Sequence, residues 1–262
     1  MNASIRLTLP DENVSQRHFV SPQEWTARVD LAASHRLLVH LGIEDLTYNH
    51  LSARVPGEPD ALLIKAPQAM FGQVTASSLL KYRLDGAPLL GTNIPLERDH
   101  LVIHAGLLKA CPQLDAVFHT HSPANMGVAA QRNGLLPLTQ HALLFYGALS
   151  YHDFDGFEFE PEQTAALASD LGDNLTMVLR NHGALVCGRS VAEAYVLHHF
   201  YEMACRAQIA AMAGGAQLCI PSPAVCERAA RQLQDADATR DGGKNWQACL
   251  ALADRIDPSY RQ

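Results

Sequence analysis

The run Leu175–Arg180, with TMVL at its centre, constrains this chain most. It lacks the polar alternation of a half-solvated strand, and a strand of that kind is buried on both faces. An α/β organisation with a covered sheet is therefore expected. At 262 residues, with 48% hydrophobic and 18% charged residues, the chain can bury one large core or two small ones and is globular rather than disordered. A formal charge of −7 leaves no basic excess to displace phosphate counterions, which argues against nucleic acid and against an anionic membrane as partners.

Other elements follow from caps and turns. Ser21-Pro22-Gln23-Glu24 reads as a capping box opening a helix that Gly42 stops. Leu51–Val55 and Ala61–Ile64 read as strands around a Pro56-Gly57 turn, and Lys81–Leu84 as another closed by Asp85-Gly86. Pro95–Ala110 and Ser122–Gln131 look helical, and Ala116–His121 is a β run. A second capping box at Ser190–Glu193 opens a long helix ending at Gly214-Gly215, and the C-terminal stretch has two helical pieces broken by Asp241-Gly242-Gly243. The expected organisation is an N-terminal arm (1–20), one α/β domain (21–220) and a helical extension of it (221–262).

The six cysteines form no CxxC pair, so they read as reduced, small buried hydrophobes of a cytoplasmic protein. The N-terminus has no apolar core of signal-peptide length, and no segment is apolar for long enough to span a bilayer.

Histidines carry the chemistry. His119-Thr120-His121 ends a predicted strand, where residues i and i+2 share a face, so two imidazoles can converge on one ion. The alternative is a hydrogen-bonded pair at a strand end. His182, in Arg180-Asn181-His182-Gly183, follows the buried strand, and Gly183 removes side-chain bulk beside it. Three neutral imidazoles with an open position describe a catalytic site for a divalent metal, zinc above iron or manganese, better than a closed structural one.

The runs HAGLLKACPQLDAVFHTHSPA and LRNHGALVCGRSVAEAY resemble the two signature regions of the class II aldolase/adducin superfamily. NHLSARVPG and VTASSLLKYRLDG resemble the version found in adducin heads and their bacterial relatives. The resemblance covers roughly residues 20–220. It implies a three-layer α/β fold with a central, mostly antiparallel sheet flanked by helices, metal ligands at His119, His121 and His182, and a cyclic homotetramer with active sites between subunits.

This chain departs from the aldolase branch where that branch handles sugar phosphates. The acid/base glutamate four residues before the histidine matching His104 is His100 here, and Glu97, three residues away, is expected on another helix face. Asn49-His50 replaces a small pair in the phosphate loop. Ala66-Pro67-Gln68-Ala69 lacks glycine and threonine, and Arg98-Asp99 stands where serines are expected.

His100 is read as a base or a fourth ligand, and His104 as an orienting hydrogen-bond partner, each against the alternative of helix packing. His50, Lys65, Gln68 and Arg98 are expected to meet substrate, with Lys65 pairing a carboxylate; a solvated loop lysine is the alternative. Tyr146, in QHALLFYG, is expected near a neighbouring subunit's site, with aromatic packing as its alternative. His198 and His199 are read as packing or surface residues. The function expected is a metal-dependent lyase, aldolase or decarboxylase, acting on a small unphosphorylated keto or hydroxy acid. The rivals are a non-catalytic adducin-like assembly module and a non-haem iron oxygenase on the same triad. Three converging histidines argue against a pure scaffold.

Overall fold

The structure is a computed structural model that describes residues 15–90, 92–157, 160–234 and 242–262. Most of the expected N-terminal arm, and Asp241 of the expected C-terminal break, lie outside the described residues.

Helix α1 spans Pro22–His40, and the Ser21 side chain accepts the Glu24 N–H at 3.1 Å as its N-cap. The capping box is only half made. Glu24 turns inward instead, pairing with Arg28 at 2.9 Å and with Lys81 at 2.8 Å in a buried ion-pair cluster. Gly42, at φ +71°, ends the helix as expected.

Among the described residues one eight-stranded sheet organises the chain, in the order β4-β3-β2-β1-β5-β8-β7-β6. Its strands are β1 (His50–Val55), β2 (Glu58–Ile64), β3 (Leu80–Arg83), β4 (Pro88–Leu89), β5 (Ala116–Thr120), β6 (Ser150–His152), β7 (Thr176–Leu179) and β8 (Gly183–Gly188). Pairing is antiparallel except between β6 and β7. Alternation along the strands splits the core in two. Leu51, Ala116, Phe118 and Val186 face a layer with α1, α7 (Val191–Met212) and α9 (Gly243–Ile256). Leu62, Val117, Met177 and Leu185 face the layer of α2 (Arg98–His100), α3 (Gly106–Ala110) and α6 (Gln163–Leu171). The fold is thus a three-layer α/β arrangement with a mixed, mostly antiparallel sheet.

All four residues of β7 are buried, as its composition requires. The strand reading missed β8, whose GALVCG lies fully buried between β5 and β7. The helix expected from Pro95 starts at Arg98, after an extended Glu97, and α2 joins α3 through a π-turn over Leu101–Ala105. Further helices are α4 (Pro123–Ala129), capped by Ser122, α5 (Gln140–Leu144) and α8 (Pro223–Gln234). Ser190 caps α7 as expected, but Glu193 returns to the Arg189 backbone N–H at 2.7 Å rather than to Ser190. The cysteines are free, and Cys219 is exposed, contrary to the buried reading. Among the described residues no helix is long and apolar enough to cross a membrane.

Candidate metal centre

β5 and β7 are both antiparallel to β8, which lies between them, so their C-terminal ends fall at one end of the sheet. His119 sits in the last turn of β5 pairing, His121 just beyond it, and His182 in the tight turn from β7 to β8, where Asn181 takes φ +57°. His182 precedes β8, which pairs with β5, so the two motifs meet at adjacent strand ends. The Gly183 backbone lets the turn close: a Cβ there would lie 2.5 Å from the Thr120 carbonyl oxygen and 2.9 Å from the His121 ring.

The three imidazoles converge. His121 Nε2 lies 2.8 Å from His119 Nε2 and 3.1 Å from His182 Nε2. Ring orientation is set from behind for two of them. His119 Nδ1 is 3.1 Å from the Ala184 carbonyl oxygen, and His121 Nδ1 is 3.2 Å from Asp45 Oδ2. Each Nδ1–H donates to its acceptor, so each Nε2 presents a lone pair to the shared point. Lone pairs crowded this closely repel unless a cation lies among them. Ligands at roughly 2.0–2.1 Å from a tetrahedral ion stand about 3.4 Å apart, wider than this arrangement by roughly 0.3–0.6 Å. The residues present fit a divalent metal. Asn49 adds rigidity by accepting the His121 backbone N–H at 2.9 Å.

A second histidine group stands beside the first. β1 begins with His50, which pairs across the sheet with His119, and the two rings are 4.9 Å apart. The π-turn brings His100 and His104 onto His50, at ring separations of 4.4 and 4.8 Å. His50 Nδ1 is 2.6 Å from His104 Nε2, and His104 Nδ1 is 2.6 Å from Ser52 Oγ. π-turns recur at functional sites because they offset side chains from the regular helical faces. Burial pushes His50, His104 and His119 well below the ordinary histidine range, with neighbouring imidazoles adding to it. Burial also lowers His100 to about 4, against the pull of Asp99. These four rings are neutral at pH 7, as ligands and proton acceptors must be.

The triad, His50 and His100 line one pocket of about 740 Å³, together with Arg98, Glu97, Asp99 and Phe157, and His104 lies buried behind them. Of the residues expected at substrate, His50, Arg98 and His100 are there. Lys65 and Gln68 are not on its wall. Lys65 is buried behind Thr47 and Pro67, donating to their carbonyls at 2.8 and 3.5 Å, and desolvation lowers its pKa to about 8. Gln68 is exposed elsewhere. Tyr146 is half-buried after α5 and does not line the pocket of its own chain. Glu97, expected on another helix face, precedes the helix with an extended backbone, and its Oε2 reaches within 3.7 Å of His100 Nε2. Sequence reasoning missed Asp45 and Phe157; no spacing rule couples residue 45 to 121, and Phe157 reaches His182 from a loop, ring centroids 5.8 Å apart. His198 is a packing residue, its Nε2 held by Thr120 Oγ1 at 2.8 Å. A second pocket of about 520 Å³ holds Arg54 and Arg189, already paired with Asp115 and Glu193.

The sequence profile of the Class II Aldolase and Adducin N-terminal domain matches residues 29–209. The chain belongs to that family. A Pseudomonas aeruginosa protein named as a candidate class 2 aldolase is 38% identical over 247 residues, 93% of this chain and 95% of its own length. Rat alpha-adducin is 34% identical over 189 residues, 71% of this chain but 26% of adducin's length. Among solved structures, an aldolase II superfamily protein from Pseudomonas syringae superposes with a TM-score of 0.89 at 38% identity, covering 94% of this chain and 99% of its own. The family is one of metal-dependent, lyase-type chemistry, and its adducin members leave a non-catalytic use of the fold open.

Proposed function

We propose that the protein is a metal-dependent lyase, an aldolase or decarboxylase, acting on a small, unphosphorylated keto or hydroxy acid. The observation that carries this reading is the convergence of three Nε2 atoms in a pocket of about 740 Å³. His119, His121 and His182 would hold the ion, zinc being favoured by three imidazole donors and iron and manganese being alternatives. When bound, such an ion supplies Lewis-acid polarisation of a substrate oxygen.

The chain's own residues supply the rest. Arg98, exposed at the rim, pairs with a substrate carboxylate. Neutral His100 faces the pocket as base or as ligand, with Glu97 Oε2 3.7 Å from its Nε2. The rings of Phe154 and Phe157 stand edge-on to His182 and limit water.

Phosphate is disfavoured on several counts. Pro67 lacks an N–H. His50 Nδ1 is engaged by His104. Asp99 adds a negative charge where a dianion would sit. The test is the full-length protein in zinc, manganese and iron forms, assayed on phosphorylated and unphosphorylated keto sugars and on keto and hydroxy acids. Turnover restricted to the acids, reduced about 100-fold or more in His100→Ala, is expected. Efficient cleavage of a ketose phosphate would overturn the reading.

The homotetramer and a role for Tyr146 at a neighbouring site belong to the same proposal. Phe154 and Phe157, 44% and 60% exposed beside the pocket, support a covering copy. Light scattering should give a tetramer at micromolar concentration; a monomer would sink both parts.

A further inference from the structure

Opposite the triad, His50, Asp99 and His100 place one ligand atom each within 4.8 Å of one another. His50 and His100 are buried, and Asp99 is half-buried. His50 Nε2 stands 3.5 Å from Asp99 Oδ2. That is long for a direct N–H···O bond, whose usual length is about 2.9–3.0 Å. It is close to the roughly 3.4 Å between nitrogen and oxygen ligands of one tetrahedral ion.

The hydrogen-bond chain behind His50 points the same way. His104 Nδ1 faces Ser52 Oγ at 2.6 Å. With His104 Nδ1–H donating to Ser52 Oγ, its Nε2 accepts the His50 Nδ1–H at 2.6 Å. His50 Nε2 then aims a lone pair at a carboxylate. Two acceptors facing each other require a cation between them. Asp99 is fixed for the purpose: its Oδ1 accepts the His100 backbone N–H at 2.8 Å, which leaves Oδ2 toward His50. Glu97 adds a second carboxylate beside His100, and the Lys65 ammonium behind them offsets only one of the two charges.

We propose that His50, Asp99 and His100 form a second divalent-cation site, so that the pocket is a two-ion centre. Two imidazoles and a carboxylate suit zinc, cobalt, manganese or iron. A substrate with two neighbouring oxygens, as in a keto or hydroxy acid, would be clamped between the ions. The proposal extends the metal-centre reading but uses none of its ligands, so the two fail separately.

The experiment is titration of chelator-stripped full-length protein with Co²⁺, followed by visible absorption and calorimetry, with elemental analysis of the saturated protein. Two ions per chain are expected, the second binding at least about tenfold more weakly because the first cation and Lys65 oppose it. Asp99→Asn, which keeps shape, and His100→Ala should each lose the weaker ion alone, and His182→Ala the tighter one alone. One ion per chain in the unaltered protein, unaffected by Asp99→Asn and His100→Ala, would overturn the second site and leave the triad standing. Two ions retained in both variants would also overturn it. A lone ion lost in Asp99→Asn but kept in His182→Ala would uphold the second site and sink the triad.

Discussion

The triad wall of the pocket is templated by strand pairing, whereas the wall opposite is assembled from a strand start and a π-turn. His119, His121 and His182 sit at the end of β5 and in the β7–β8 turn, and the register Thr120↔Ala184 sets their relative positions. His50, His100 and His104 meet only because β1 pairs with β5 and the helix after Glu97 carries its π-turn over the sheet. The anchoring differs too. The triad is held from behind by a backbone carbonyl and a half-exposed carboxylate, Asp45, and the opposite wall by buried side chains, His104 and Ser52. Sheet templating fixes geometry through many backbone bonds; side-chain templating concentrates it in a few buried contacts, where one loss is felt more.

The sharpest way to break the contrast is Gly183→Ala. The new Cβ would meet the Thr120 carbonyl oxygen at 2.5 Å and the His121 ring at 2.9 Å; the ring can shift, but the carbonyl cannot yield without moving β5 against β8. Overpacking of this kind costs about 1–3 kcal/mol, and about 2–4 °C of melting temperature per kcal/mol in a chain this size. The metal-free protein should melt lower by that amount, and Co²⁺ affinity at the triad should fall as His121 shifts. A variant that melts lower but binds the ion normally would show that strand pairing is not what positions the triad.

The same contrast explains what was legible in the sequence. His119 and His121 show their shared face by alternation, and His182 by following a buried run; both are local signals. The register that sets His50 against His119 joins residues far apart in the chain, and no local pattern announces it. The π-turn has no propensity signature, so only the spacing of His100 and His104 hinted that they act together. Lys65 was misplaced although the context was visible: it ends the apolar run Leu62–Ile64, and strand β2 carries it into the core. Both capping boxes were placed correctly by their serines, while the glutamates found stronger partners in Arg28, Lys81 and Arg189. β8 was overlooked because a short apolar stretch after a glycine reads equally as the lead-in to the long helix.

Asp45→Asn and Ser52→Ala form the finest test, because the two walls should answer in opposite currencies. Asp45 Oδ2 lies 3.2 Å from His121 Nδ1, and the Asp45 side chain is 43% exposed. An exposed pair of this kind contributes little to folding, about 0–1 kcal/mol. Its carboxylate raises the basicity of the ligand, however, and removing such a partner costs a metal site about 10–100-fold. Exposure places Asp45→Asn at the low end, about tenfold, with an unchanged melting temperature in the metal-free protein. Ser52 is fully buried, and its Oγ meets His104 Nδ1 at 2.6 Å. Ser52→Ala removes that partner, a loss of about 1 kcal/mol, the low end for a buried group left unpaired. Ser52→Ala should therefore lower the melting temperature of the metal-free protein by about 2–4 °C and leave Co²⁺ affinity at the triad unchanged. The measurement is a pair of melting curves and Co²⁺ titrations on each variant. If Ser52→Ala weakened the triad ion as much as Asp45→Asn does, the walls would be one coupled network, and the separation drawn between strand-templated and side-chain-templated ligands would fall.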